Sequence, residues 1–279
     1  DDSVLVYPTH GAGSLCGHAI RDVKVSTIGY ERVHNFAFQI RDEQEFVNTL
    51  LRDQPHIPKY FPYNVELNRK GAPALEQAIQ AVSVFAVGDA TPALASAVIV
   101  DTRSSEQFRD SHLPRSVNIP DNNKFETWLG TLVDPDNHFY LVVGDEAGKE
   151  QQLSKAAKIG YETLVKGVVV YGNHQGERYA DFDKADFDKN KADYIILDVR
   201  TGKEASEDPV FDKVVNIPLS DLEEKIATLP VDKPVYVHCA SGYRSSIAAS
   251  LIKKTYPNAD VYDIGQAIKE YKKSNSNKK

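Results

Sequence analysis

The sequence predicts an α/β fold: two parallel-sheet domains in tandem, preceded by a segment of different character. Three observations carry this. Residues 81–174 and 175–279 repeat one order of apolar runs and helical stretches. Each copy has a strand ending in Asp-x-Arg (Asp101 with Arg103, Asp198 with Arg200) and, later, Val-Asn-Ile-Pro at 117–120 and 215–218. The gap from Asp to Asn is 17 residues in one and 18 in the other. The strands are continuous apolar runs separated by helical patterns, as in a parallel sheet covered on both faces.

Taken in order, Ser3 to Tyr7 reads as a short strand, and Asp42 to Arg52 as a helix whose Phe46, Leu50 and Leu51 share a face. Gln54 to Asn68 contains Pro55, Pro58 and Pro62 and is expected to be largely irregular. The first repeat then offers strands at 97–103, 139–143 and 165–171, and the second at 194–200, 235–238 and 259–263. Between the last two strands of each copy, apolar spacing marks a helix: Leu153, Ala156 and Ala157 in one, Ile247, Leu251 and Ile252 in the other. The linker near 172–192 carries a direct repeat, 180–184 and 185–189, read as an amphipathic helical turn.

Bulk composition narrows the class. The chain has 279 residues, 41% hydrophobic and 26% charged, with a net charge of −7. That balance argues against a nucleic-acid partner. No apolar run approaches the roughly 18 residues of a membrane span. Two Cys in 279 residues make no disulfide framework, so a reducing, cytoplasmic setting is expected. The chain has no Met and no signal peptide, which suggests a start inside a longer protein. Self-association is left open.

The chemistry concentrates at Cys239-Ala240-Ser241-Gly242-Tyr243-Arg244-Ser245. An apolar strand ends in a thiol, a tight loop follows, and a helix begins near Arg244. Loop N–H groups, the helix N-terminus and the guanidinium all favour an anion at one point. Such a loop makes and holds a sulfur anion. The plain alternative is a buried, inert Cys closing a strand; Gly242 and Arg244 weigh against it. Ala240, Ser241 and Tyr243 are expected to line the loop, and Ser245 to bond loop backbone or the sulfur. Arg244 is expected to face the sulfur or a substrate sulfonate. Asp198 and Arg200 read as a hydrogen-bonded support, since the first copy has the same pair without a thiol. His238 falls on the opposite strand face from Cys239. Aligning the copies sets Gly144 against Cys239 and Lys149 near Arg244, so the first copy lacks the nucleophile. Cys16 has no nearby cation and reads as structural.

C-x-x-G-x-R-S resembles the active loop of rhodaneses, which carry sulfane sulfur on Cys as a persulfide. Cysteine phosphatases and arsenate reductases have a loop one residue longer, leaving room for a tetrahedral oxyanion. The resemblance implies a sulfurtransferase with Cys239 as nucleophile and Arg244 stabilising charge. The donor would be thiosulfate or a low-molecular-weight persulfide, and the acceptor a small thiol or sulfite. It implies an inactive first domain and no cofactor for either. The rivals are a non-catalytic rhodanese-like binding module and a cysteine phosphatase or arsenate reductase. Residues 1–80, through 6–11 (Val-Tyr-Pro-Thr-His-Gly) and 26–32, resemble the C-terminal part of persulfide dioxygenases, iron enzymes of the metallo-β-lactamase fold. The whole then looks like the end of a dioxygenase–rhodanese fusion. That family's H-x-H-x-D-H cluster is absent from this sequence, and His10 is its sole residue at a metal-site position. Fe(II) is expected only with the missing N-terminal metal-binding part.

Overall fold

The computed structural model describes residues 1–11, 21–52, 54 and 56–276. They form two compact units, Asp1–Ile57 and Pro58–Lys279. In the first, strand β1 (Leu5–Val6) pairs antiparallel with β2 (Ser26–Thr27). Helices α1 (Ile28–His34), α2 (Phe36–Gln39) and α3 (Glu43–Leu51) follow. Thr27 and Asp42 cap α1 and α3 by accepting from Tyr30 and Glu45 N–H. None of this unit's described residues is buried, and Leu5, Tyr7, Val33, Phe38 and Leu51 are exposed.

The second unit opens with α4 (Tyr60–Lys70) and α5 (Leu75–Ala81). The irregular stretch expected through Asn68 is therefore a helix from Tyr60 onward. Pro62 is no obstacle, because it lies in the first turn, where N–H groups have no intrahelical partner. Packing holds the helix: a Cβ on Gly130 would come within 2.2 Å of the Tyr60 ring, so the ring lies directly on Gly130. Tyr63 meets Tyr161 edge-on at 5.7 Å.

The first repeat runs β3 (Val84–Ala86), α6 (Val87–Leu94), β4 (Val98–Asp101), α7 (Ser105–Asp110), β5 (Val117–Asn118), α8 (Phe125–Leu132), β6 (Phe139–Val143), α9 (Gly148–Ala157) and β7 (Val165–Val170). Its sheet is parallel, in the order β3-β7-β6-β4-β5. The second runs α10 (Lys184–Asn190), β8 (Ile195–Asp198), α11 (Gly202–Glu207), β9 (Val215–Asn216), α12 (Leu222–Lys225), β10 (Val235–His238), α13 (Tyr243–Thr255), β11 (Val261–Asp263) and α14 (Ile268–Ser276). Its parallel sheet has the order β11-β10-β8-β9. The expected parallel α/β repeats are thus observed. Sequence reading did not mark β3 and α6. One apolar cluster runs through both repeats, joining Val117, Ile119 and Leu153 to Val199, Cys239 and Ile247. No helix among the described residues is long and apolar enough to cross a membrane.

Candidate functional site

Cys239 follows β10, which lies between β8 and β11. The thiol therefore sits at the carboxyl end of an interior parallel strand, where α/β folds gather ligands. Alternation sends Cys239 into the large cluster shared with the first repeat. His238 faces the other side, edge-on to Phe211 at 5.2 Å. Cys239 is 1% exposed.

The loop folds over the sulfur. Gly242 N–H donates to Cys239 Sγ at 3.2 Å, and Sγ donates to Ser245 Oγ at 3.7 Å. Ser245 Oγ in turn donates to the Gly242 carbonyl at 3.0 Å. Gly242 has φ of 101°, and a Cβ there would meet Gly265 C at 3.0 Å and Gln266 N at 3.2 Å. Both its backbone conformation and the close approach of the turn after β11 thus require glycine. Gly242 is also the N-cap of α13 and supplies no side-chain cap. Several N–H groups were expected to converge on the sulfur; the one hydrogen-bonded to Sγ belongs to Gly242.

Arg244 is engaged rather than free. Its two terminal nitrogens each bond Glu204 at 2.7 Å, a bidentate pair. Glu204 is set by the capping box of α11, where Thr201 Oγ1 accepts from Glu204 N–H and the Glu204 carboxylate accepts from Thr201 N–H. The Arg244 bonds, aided by Thr201, hold the Glu204 carboxyl down at about 2 against an opposing burial effect. The Arg244 charge still lies within electrostatic reach of Cys239. Glu204 was missed in the sequence; its signal was the T-x-x-E cap before α11. Asp263 was missed too. It accepts from Gly265 N–H at 2.8 Å beside the loop, and burial of its carboxyl raises it to about 6.

Ser241 is exposed and Ala240 half-buried at the mouth. Tyr243 leans toward the first repeat: its hydroxyl is buried without a hydrogen-bond partner, and burial, then the Asp121 and Glu126 carboxylates, suppress its ionisation. Asp198 and Arg200 stay behind the loop. The Arg200 guanidinium forks onto Asp198 and donates to the Asp208 carbonyl at 3.0 Å. Arg103 repeats this with Asp101 and the Ser111 carbonyl.

The shared pair also corrects the alignment of the two loops. Asp198 lies opposite His238 and Asp101 opposite Val142, so Val143, not Gly144, stands in the place of Cys239. In that loop Asp145, an exposed carboxylate, accepts from Gly148 N–H at the start of α9 at 3.2 Å. His10 is exposed, and among the described residues no three His, Cys, Asp or Glu gather as a metal ion requires. Cys16 lies outside the described residues.

The family model of the rhodanese-like domain matches residues 89–173 and 180–274. No curated protein matches the chain. Among solved structures, a metallo-β-lactamase from Staphylococcus aureus is 24% identical over 61% of this chain and 46% of its own, with a TM-score of 0.46. A rhodanese-related protein from Thermoplasma volcanium is 31% identical over 34% of this chain and 93% of its own, TM-score 0.30. A thiosulfate sulfurtransferase from Pseudomonas aeruginosa is 14% identical over 71% of this chain and 43% of its own, TM-score 0.28. The chain thus spans less than half the length of the staphylococcal protein.

Proposed function

Since the chain belongs to the rhodanese-like domain family in both of its repeats, we propose that residues 175–279 transfer sulfane sulfur through a persulfide on Cys239. The observation that carries this is the loop itself: C-x-x-G-x-R-S with a Gly242 N–H aimed at Sγ from 3.2 Å. The thiolate attacks the outer sulfur of a donor, R–S–S⁻ or thiosulfate. The donor S–S bond breaks, and the thiolate or sulfite leaves with the electron pair. The outer sulfur of the enzyme persulfide lies about 2 Å beyond Sγ, toward the uncapped N-terminus of α13. The helix dipole and the Arg244 charge favour its anion there. A second thiolate, or sulfite, then attacks that sulfur and restores Cys239. The reading places the protein in a reducing, cytoplasmic compartment with small-molecule partners and no nucleic acid.

The loop spacing disfavours a phosphatase or arsenate reductase. The first repeat, with Val143 at the thiol position, fits the non-catalytic reading. Residues 1–80 are taken as the end of a metallo-β-lactamase-like domain on their sequence resemblance. Intact mass after treatment with glutathione persulfide or thiosulfate tests the proposal. Wild type should gain about 32 Da, removable by cyanide or dithiothreitol, and Cys239→Ser should gain nothing. No gain in either protein would move the second repeat to the binding-module reading.

A further inference from the structure

The thiol-less repeat keeps its Val-Asn-Ile-Pro, and the Asn is used in a way its counterpart is not. Both Asn side chains brace the end of a strand in their own sheet. Asn118 Nδ2 donates to the Asp101 and Arg103 carbonyls at 3.1 and 3.0 Å. Asn216 Nδ2 donates to the Asp198 and Arg200 carbonyls at 2.9 and 3.0 Å. There the likeness ends. Asn216 is exposed, whereas Asn118 is fully buried beneath α13 of the second repeat.

Across that contact Asn118 makes two further bonds. Its Oδ1 accepts from Ser246 Oγ at 2.6 Å, and its backbone N–H donates to Ser250 Oγ at 3.0 Å. Both serines are buried, one turn apart on the same face of α13. The edge strand β5 is thereby covered by a helix that fills its outward N–H with a hydroxyl. Ser246 also lies one turn from the reactive loop, and its N–H donates to the Gly242 carbonyl at 3.2 Å. A continuous line of bonds therefore runs from the first sheet through Asn118, Ser246 and Gly242 to Cys239 Sγ.

We propose that Asn118 is a positioning residue for the second repeat's chemistry, and that the inactive repeat serves as a clamp fixing the start of α13 so that the Gly242 N–H stays aimed at the sulfur. The inference rests on Cys239 being the reactive group. A buried side-chain amide making three hydrogen bonds, beside a backbone N–H making a fourth, tolerates no loose fit, because each unmet partner costs free energy. The helix start is thus held by a body outside its own domain.

The test uses the full chain and four variants: Asn118→Ala, Ser246→Ala, their double, and Val169→Ala as a stability control in a separate apolar cluster of the first repeat. Two quantities are read beside Tm: kcat and KM for sulfur transfer to glutathione, and the rate of Cys239 alkylation by iodoacetamide at one pH. The clamp predicts that Ser246→Ala and Asn118→Ala each lower kcat and the alkylation rate about tenfold, with KM within about twofold. The double variant should be about as impaired as the worse single, since both act along one line. Val169→Ala should lower Tm while leaving both rates near wild type. If the rates of Ser246→Ala and Asn118→Ala stay within about twofold of wild type while Tm falls, the contact is an ordinary interface and the proposal is wrong. Should Asn118→Ala unfold, Ser246→Ala, which loses a single oxygen, decides alone. Alkylation needs no sulfur donor, so a wild type that forms no persulfide would sink the sulfurtransferase reading and leave the clamp still measurable.

Discussion

Cys239 and His238 are neighbours in sequence, yet they face opposite sides of the sheet and do different work. His238 is fully buried, and neither ring nitrogen has a hydrogen-bond partner; burial lowers its pKa to about 4 despite the nearby Asp198 carboxylate. His112 in the first repeat is likewise buried and lowered to about 4, its Nδ1–H donating to the Phe108 carbonyl at 2.7 Å. Both are neutral in the folded protein at pH 7. Between about 6.5 and about 4 the unfolded chain takes up these protons and the folded chain does not, so stability falls as pH falls through that window. Each His contributes on the order of 3 kcal/mol at full effect. Asp263, raised to about 6, and Asp101, raised by burial, work the other way, because the folded chain takes up those protons before the unfolded one. His238→Gln should therefore gain in urea midpoint relative to wild type as pH falls from about 6.5 to about 4. An unchanged slope in that variant would mean His238 is not buried neutral. At this scale the reactive Cys, the loop Gly and the Arg were legible because one short motif holds them. Glu204 was not, since it meets Arg244 from 40 residues upstream.

The loop works as an element because a second element presses on it. Gly242 has a positive φ, and the Gly265 backbone lies 3.0 Å from where a Cβ would be, inside van der Waals contact. Gly242→Ala should therefore cost about 1–3 kcal/mol and move the N–H off the sulfur. Denaturant melts and persulfide formation would both register it; an alanine variant with wild-type stability and full persulfide yield would contradict the packing described. The two repeats also show how far pattern reading reaches. Their long apolar strands were visible, because burial on both faces leaves no polar alternation. Register was harder: letters alone set Gly144 against Cys239, and only the pairing of Asp101 with Val142 moved the match to Val143. Helix α4 was hidden by three prolines, two of which precede it and one of which fits its first turn.

The whole molecule divides by burial. Within 58–276 one apolar cluster spans both repeats, whereas no described residue of 1–57 is buried. Limited proteolysis of the full chain should cut first within 1–57 and leave a fragment beginning near Pro58 that still forms the persulfide. Equal resistance of both parts would refute this. The sequence by itself determined that two α/β repeats follow one another and that the second alone carries the sulfur loop, because strand hydrophobicity and a contiguous motif are local properties. Only the tertiary structure decided what surrounds that loop. It paired Arg244 with Glu204, brought Gly265 against Gly242, and set α13 on Asn118 of the silent repeat. Those contacts join residues far apart in the chain, and their geometry follows from sheet order and packing, which no local pattern encodes.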